Sequence, residues 1–239
     1  MPKSPDLPTQ HADNRPDACN VETPGLHEWN VTPAEARAIQ NRLRHHVVCR
    51  DRLRPVRYVA GADVGFEQNN RVTRAAVAVL RFPELKFHES AIVRRPTVFP
   101  YVSGLLSFRE APALLAAIAS LRRVPDLMLF DGQGIAHPRR IGIASHMGLW
   151  TVIPSIGVAK TRLTGEHPPV PDTKGSRVPL TDNGEIIGTV LRTRTNVRPL
   201  YVSPGHNISL ETAVSYVMAC ITRYRLPETT RWAHSLAST

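Results

Sequence analysis

The apolar run Leu127-Met128-Leu129-Phe130 ends on Asp131 and passes straight into Gly132-Gln133-Gly134, then His137-Pro138-Arg139-Arg140. Four apolar residues closed by a breaker read as a buried strand. An acid at the strand exit, followed at once by glycines, a histidine and a basic pair, is poor core material. It suits a site where a carboxylate holds a cation and the backbone comes close to a ligand. The block from Asp131 to Gly148 therefore points to a sheet whose strand ends carry the chemistry.

The flanking patterns extend this to an α/β domain. Thr32-Pro33-Ala34-Glu35 opens a helix with a capping box and a proline at the first helical position. Ala36, Ile39, Leu43 and Val47 follow on one face of that helix. Val56–Val64, Val72–Phe82 and Leu85–Arg95 are strand-like, and their short connections favour antiparallel neighbours. Ser107–Arg123 reads as a helix with Leu114, Leu115, Ile118 and Leu121 as its buried stripe, and Glu110 falls in its first turn. Leu127–Asp131 is a strand, Arg140–Leu149 a helix and Thr151–Ile156 another strand, an alternation that favours a parallel portion of the sheet. Residues 163–184 form a long loop or irregular hairpin, Ile186–Arg194 and Leu200–Val202 add strands, and Ser209 caps a late helix to Arg223. Residues 1–30, rich in Pro, Asp, Asn and Thr, are read as a disordered extension, and 31–239 as one catalytic domain.

Thirty Lys and Arg against 20 Asp and Glu leave a formal charge of +10, carried mainly by dispersed arginines. Such a surface is either solvated or meets a polyanion over a broad face. Cys19, Cys49 and Cys220 make neither a disulfide framework nor a zinc knuckle. With no apolar signal core and no membrane-length apolar run, the expectation is a soluble, cytoplasmic protein, and a monomer.

Three acids occupy informative places. Asp63 lies inside the first strand, where a lone carboxylate is costly unless paired or bound to metal. Asp131 ends the fourth strand. If those strands are neighbours, the two carboxylates meet at one sheet end, and a divalent cation removes their repulsion. Singly, Asp63 can be a turn residue, Glu110 can complement a helix dipole and Asp131 can cap a turn. Together they read as an all-oxygen site for Mg²⁺, with Mn²⁺ able to substitute. His137 can donate to a phosphate or handle a proton, and His146 reads as a packing or supporting histidine. Lys160, past a strand end, is either solvated or neutralises a phosphate. Tyr101, in Pro100-Tyr101-Val102-Ser103-Gly104, can stack on a base, wedge into a duplex or pack over its own turn. Gly132-Gln133-Gly134 begins like a dinucleotide fingerprint, but His137 stands at the third glycine position. Walker A and serine-elbow motifs are absent.

Taken in order, Gly61-Ala62-Asp63, Phe99 to Glu110, Asp131 to Gly148, Ile156 to Lys160 and Val202 to His206 resemble the endonuclease V family, the deoxyinosine 3′ endonucleases of DNA repair. The resemblance runs from about residue 32 to the C-terminus. It implies a ribonuclease-H-like mixed sheet, three antiparallel strands followed by parallel ones, flanked by helices. It implies Mg²⁺-dependent hydrolysis of the second phosphodiester bond 3′ to deoxyinosine, leaving 3′-hydroxyl and 5′-phosphate ends. By the same resemblance Asp63 and Asp131 hold the metal, Glu110 is the third acid, and His234 is a histidine near the metal. His137 and Lys160 lie around the phosphates, Tyr101 is the strand-separating wedge, and Leu106, Gly132 and Leu163 pocket the flipped base. Ser103 stands where the family wedge usually has a second proline. The implied partner is DNA containing deoxyinosine. Inosine in RNA is the alternative substrate, and a non-catalytic nucleic-acid-binding module on the same fold is the alternative class.

Overall fold

A computed structural model describes residues 25–238. Eight strands form one open sheet in the order β3-β2-β1-β4-β5-β8-β7-β6. β1 (Tyr58–Glu67), β2 (Val72–Arg81) and β3 (Lys86–Pro96) form an antiparallel meander. β4 (Leu127–Phe130) then pairs parallel with β1, and β5 (Ser155–Ala159) parallel with β4. β8 (Leu200–His206), β7 (Glu185–Leu191) and β6 (Arg177–Asp182) complete the sheet in antiparallel sense. The expected ribonuclease-H-like mixed sheet is the observed one.

Side chains alternate across a strand, so the two faces of β1 and β4 feed different cores. Ala60, Ala62, Met128 and Phe130 pack with Ala113, Leu114, Ala144 and Met147 from α2 (Leu106–Ala119) and α3 (Ile143–Thr151). Val59, Leu127, Leu129 and Ile156 pack on the other face with Val214 and Val217 of α4 (Leu210–Ala219). Beneath the wedge turn, α1 (Pro33–Leu43) joins Phe99, Leu105, Phe108 and Ile141 in a third cluster. Its capping box is formed as expected, Thr32 Oγ1 accepting from the Glu35 amide and the Glu35 carboxylate from the Thr32 amide. Ser209 caps α4 with its side chain alone, Oγ accepting from the Thr212 amide at 3.3 Å.

Several boundaries differ from the sequence pattern. Val47 lies outside α1, which ends at Leu43 and tightens into a 3₁₀ turn over Arg44–His46. The stretch Thr151–Ile156 is not a strand: Thr151 ends α3, Val152 caps it in the left-handed region (φ 58°), and β5 begins at Ser155. The stretch Leu149 to Ile156, apolar but for Thr151, Pro154 and Ser155, carries no clear period that could place this joint. β6 falls in the stretch 163–184 that the pattern reads as a long loop or irregular hairpin, and its ladder is with β7 rather than within that stretch. It forms a hairpin with β7 through Asn183-Gly184, both at positive φ, the residue pair such a tight turn requires. Leu26 and Trp29, within the segment read as an extension, pack onto the third cluster. The rest of that segment, to residue 24, lies outside the described residues.

A fifth helix, α5 (Glu228–Ser238), has no counterpart in the pattern reading. It lies across β1 and β2 and buries only Thr229, Thr230, Ala233 and Ala237. So small a face can dock because β1 offers glycines to it. A Cβ on Gly61 would stand 2.0 Å from the Thr229 carbonyl oxygen, and one on Gly65 would stand 2.3 Å from that of Ala237. Backbone atoms at those distances cannot yield cheaply. Gly61→Ala is therefore expected to destabilise the fold by about 1–3 kcal/mol through overpacking, read as a lowered thermal midpoint. It should also displace α5, so that any activity depending on His234 falls with it.

Candidate nuclease site

β1 and β4 are adjacent and parallel, and the Asp131 amide donates to the Ala62 carbonyl at 3.3 Å. Asp63 and Asp131 therefore emerge side by side at one sheet end. Asp63 shares the α5 face of β1 with Gly61 and Gly65, and there meets His234: Nδ1 lies 2.7 Å from Asp63 Oδ2. Asp63 Oδ1 accepts from the Val64 amide at 2.8 Å. Ligand atoms of Asp63, Asp131 and His234 all fall within 4.8 Å of one another. Lys160, just past β5, forms an ion pair with Asp131 Oδ2.

Glu110 approaches from α2, one residue further into the helix than the pattern placed it and so just past the first turn, because α2 starts at Leu106 rather than Ser107. Burial, then the charges of Asp63 and Asp131, push its carboxyl up to about 8. Burial and the Asp131 carboxylate also raise Asp63, against the pull of His234, the Val64 amide and Lys160. Three acids whose ionised forms disfavour one another are the electrostatic condition that a divalent cation relieves.

Tyr101, Leu106, Gly132 and Leu163 line a single cavity of about 440 Å³ together with Glu110, Asp131, His137 and Lys160. Tyr101 is 72 % exposed at its mouth. Asp63 and His234 lie on the far side of Asp131 and do not line the cavity. Asp131 is thus the shared wall between an apolar-edged pocket and the acid cluster.

His137 is placed differently from the expectation of a free phosphate or proton donor. It is buried, its Nδ1 accepts from the Arg139 amide at 3.1 Å and its Nε2 lies 2.9 Å from the Gly104 carbonyl. Burial, with the neighbouring arginines, depresses its pKa to about 4, so the ring is neutral and donates through Nε2. Its visible role is to tie the Asp131 loop to the wedge turn. His146 is fully buried, with Nδ1 at 2.9 Å from Ser107 Oγ and Nε2 at 2.8 Å from His27 Nε2, a packing histidine as read from sequence.

The pattern reading passed over two polar supports. Arg225 donates to the Lys160 carbonyl at 3.1 Å and to that of Pro199 at 2.8 Å, steadying the chain that presents Lys160. Gln40 lies beneath the wedge turn and bonds to it. Only Gln40 left a trace in the sequence: it stands among Ala36, Ile39 and Leu43, on the buried side of α1.

An acid cluster at the strand ends of a mixed sheet of this order, beside a ligand cavity, defines a carboxylate-based nuclease of the ribonuclease-H-like class. The family described as Endonuclease V matches residues 41–235. An endonuclease V from a Nostoc species is 58% identical over 213 residues, covering 89% of this chain and 96% of that protein. The crystal structure of the Streptomyces avermitilis endonuclease V superposes with a TM-score of 0.83 at 41% identity, covering 88% of this chain and 93% of that one. A Ciona intestinalis endonuclease V, crystallised with a 24mer DNA containing an inosine followed by a ribo-adenosine, gives 0.74 at 28% identity, with coverage of 86% and 95%. The chain belongs to the endonuclease V family and is an endonuclease, a hydrolase of nucleic acid. Among the described residues, no helix is long and apolar enough to cross a membrane.

Glu110 gives the folded state a pH signature. Its folded pKa lies above the unfolded carboxylate value, so between about 4.5 and about 8 the native state binds more protons than the unfolded one. Stability supplied by the protonated form is present below that window and lost as pH rises through it. Thermal melts in chelator should show the wild type losing more stability than Glu110→Gln between about pH 5.5 and about pH 7.5, which lies inside that window.

Proposed function

We propose that the protein is a Mg²⁺-dependent endonuclease of DNA repair that recognises deoxyinosine and hydrolyses the second phosphodiester bond 3′ to it. The products carry 3′-hydroxyl and 5′-phosphate ends. The observation that carries this reading is the shared wall at Asp131, which puts a cavity with room for a base next to an acid cluster able to hold a cation. The Ciona relative's inosine-containing DNA supports the choice of base.

The donor set fits the ion. Asp63 and Asp131 supply hard carboxylate oxygens, with Glu110 as a third acid within their electrostatic reach, a combination suited to Mg²⁺ or Mn²⁺ rather than zinc. Asp63 and Asp131 would hold it, and bound there it supplies Lewis acidity to the scissile phosphate. The chain's own groups do the rest. His234 orients the Asp63 carboxylate, and Lys160 offsets Asp131 and presents a positive charge beside the phosphate path. Tyr101 fills the gap left by an everted base, while Leu106 and Leu163 provide apolar walls for it and Gly132 admits it close to the backbone. Everting a base costs a few kcal/mol, least at a weak pair such as inosine forms, which adds to selectivity. The dispersed arginines grip phosphates without reading sequence.

A labelled duplex carrying one deoxyinosine, incubated with Mg²⁺, should be nicked once, at the second bond on the 3′ side. Cutting elsewhere, or none, would sink the reading. An inosine RNA and a DNA–RNA chimera at the same salt concentration rank the two sugars.

Asp131→Ala and Asp63→Ala should each slow single-turnover nicking by about a thousandfold, the several kcal/mol that a Lewis-acidic ion supplies, while leaving duplex affinity near that of the wild type. Chelation should abolish nicking and added Mg²⁺ restore it. An Asp131→Ala protein that nicks at the wild-type rate would exclude this assignment.

A further inference from the structure

The carbonyl of Gly104 sits where the wedge turn ends and α2 begins, at a residue held in the left-handed region (φ 76°). Three side chains converge on it. Gln40 Nε2 donates at 3.0 Å, His137 Nε2 at 2.9 Å and Arg139 NH2 at 2.8 Å. They come from two separate parts of the chain, α1 and the loop after Asp131. One carbonyl oxygen has two lone pairs, so three donors leave it little freedom to turn away.

Gln40 is the member that closes the network. It is 1 % exposed, deep in the cluster beneath the turn. Its second Nε2 hydrogen goes to the Ile141 carbonyl at 3.2 Å, and its Oε1 accepts from Arg139 Nε. The amide orientation is therefore fixed, because a flip would set its oxygen against two carbonyl oxygens and its NH₂ against a guanidinium. Gln40 thus clamps Gly104 to Ile141 and to Arg139, and so ties together the two stretches of chain that frame the cavity. It is the polar exception on an apolar helix face, where a residue of no consequence for the turn would be expected to be apolar.

We propose that Gln40 is a positioning residue that holds the Tyr101–Gly104 turn rigid, so that the tyrosine at the cavity mouth can push against a stacked base pair. This rests on the proposed base-everting function, but the physical demand is separable. A base already unpaired needs no push, whereas a paired one needs a wedge that does not recoil when loaded by the few kcal/mol of eversion. Losing the clamp should then penalise duplex substrate selectively.

The test uses Gln40→Met, close in shape but unable to make the three bonds. Single-turnover nicking of a deoxyinosine duplex should fall about tenfold, the scale set by taking the Gln40 partner away from the Ile141 carbonyl and from Arg139 Nε, with the same oligonucleotide as a single strand changing much less. Hydrogen exchange of the Tyr101–Leu105 amides, measured without nucleic acid, should quicken. Arg139→Met, which removes the bond to Gln40 Oε1 and a second donor to the Gly104 carbonyl from a half-buried position, should give the same pattern and serves if Gln40→Met does not fold. Equal losses on both substrates, no loss on either, or unchanged exchange in the turn would overturn the proposal. If the wild type nicks no inosine substrate, the function fails, yet the exchange measurement still decides whether Gln40 holds the turn.

Discussion

Everything in the site depends on keeping Asp63 and Asp131 together when their charges drive them apart. Ligand oxygens within 4.8 Å at a partly buried position repel by about 3 kcal/mol at the effective dielectric of a protein surface. The register of two parallel strands sets the separation, and backbone hydrogen bonds that do not titrate hold it. Compensation then arrives from opposite sides. His234 reaches Asp63 from α5 on one face of the sheet, and Lys160 reaches Asp131 from the strand beyond. Glu110 enters from α2 on the other face and bears the remaining repulsion as a carboxyl that keeps its proton at neutral pH. A cation placed among these groups would be bound by a framework assembled before it arrives.

That framework explains the odd composition of β1. A strand in the middle of an eight-stranded sheet would ordinarily be Val- and Ile-rich, yet β1 carries Gly61 and Gly65 on either side of Asp63. Gly in a strand weakens it and marks a close backbone approach. Here the approach is that of α5, whose backbone sits where the missing side chains would be. The glycines lower strand propensity and in return bring a histidine within 2.7 Å of Asp63. The same trade recurs under the cavity, where Gly134 lies flat against Gly157 and Pro204 so that its loop can fold back over the sheet.

The features that were legible in the sequence are those with a local physical signature. Capping at Thr32 and Ser209, the antiparallel meander and the strand exit at Asp131 all follow from residues adjacent in the chain. The adjacency of β1 and β4 was allowed but not required by the sequence pattern, and the parallel ladder between them decides it. What escaped was α5, because its buried face is made of threonines and alanines fitted to glycines some 170 positions earlier, as the His234–Asp63 separation of 171 residues records. A helix that docks by smallness has no apolar stripe to read. His234 was for the same reason weak until a family resemblance supplied it. The β5 boundary failed for the opposite reason: residues 149–156 are apolar almost throughout, and only the left-handed cap at Val152 and the ladder with β4 decide where helix stops and strand starts.

His137 shows how a residue of the right type in the right loop can be chemically committed elsewhere. Both ring nitrogens are engaged, and a neutral ring with its proton on Nε2 is the only form that satisfies the Arg139 amide and the Gly104 carbonyl together. Protonation would force a donor against the Arg139 amide, which is the hydrogen-bond counterpart of the depressed pKa. The loop that begins with Asp131 is thereby locked to the turn that bears Tyr101, and Gln40 locks the same turn from below. The cavity wall at Asp131 and the tyrosine at the cavity mouth thus belong to one hydrogen-bonded unit.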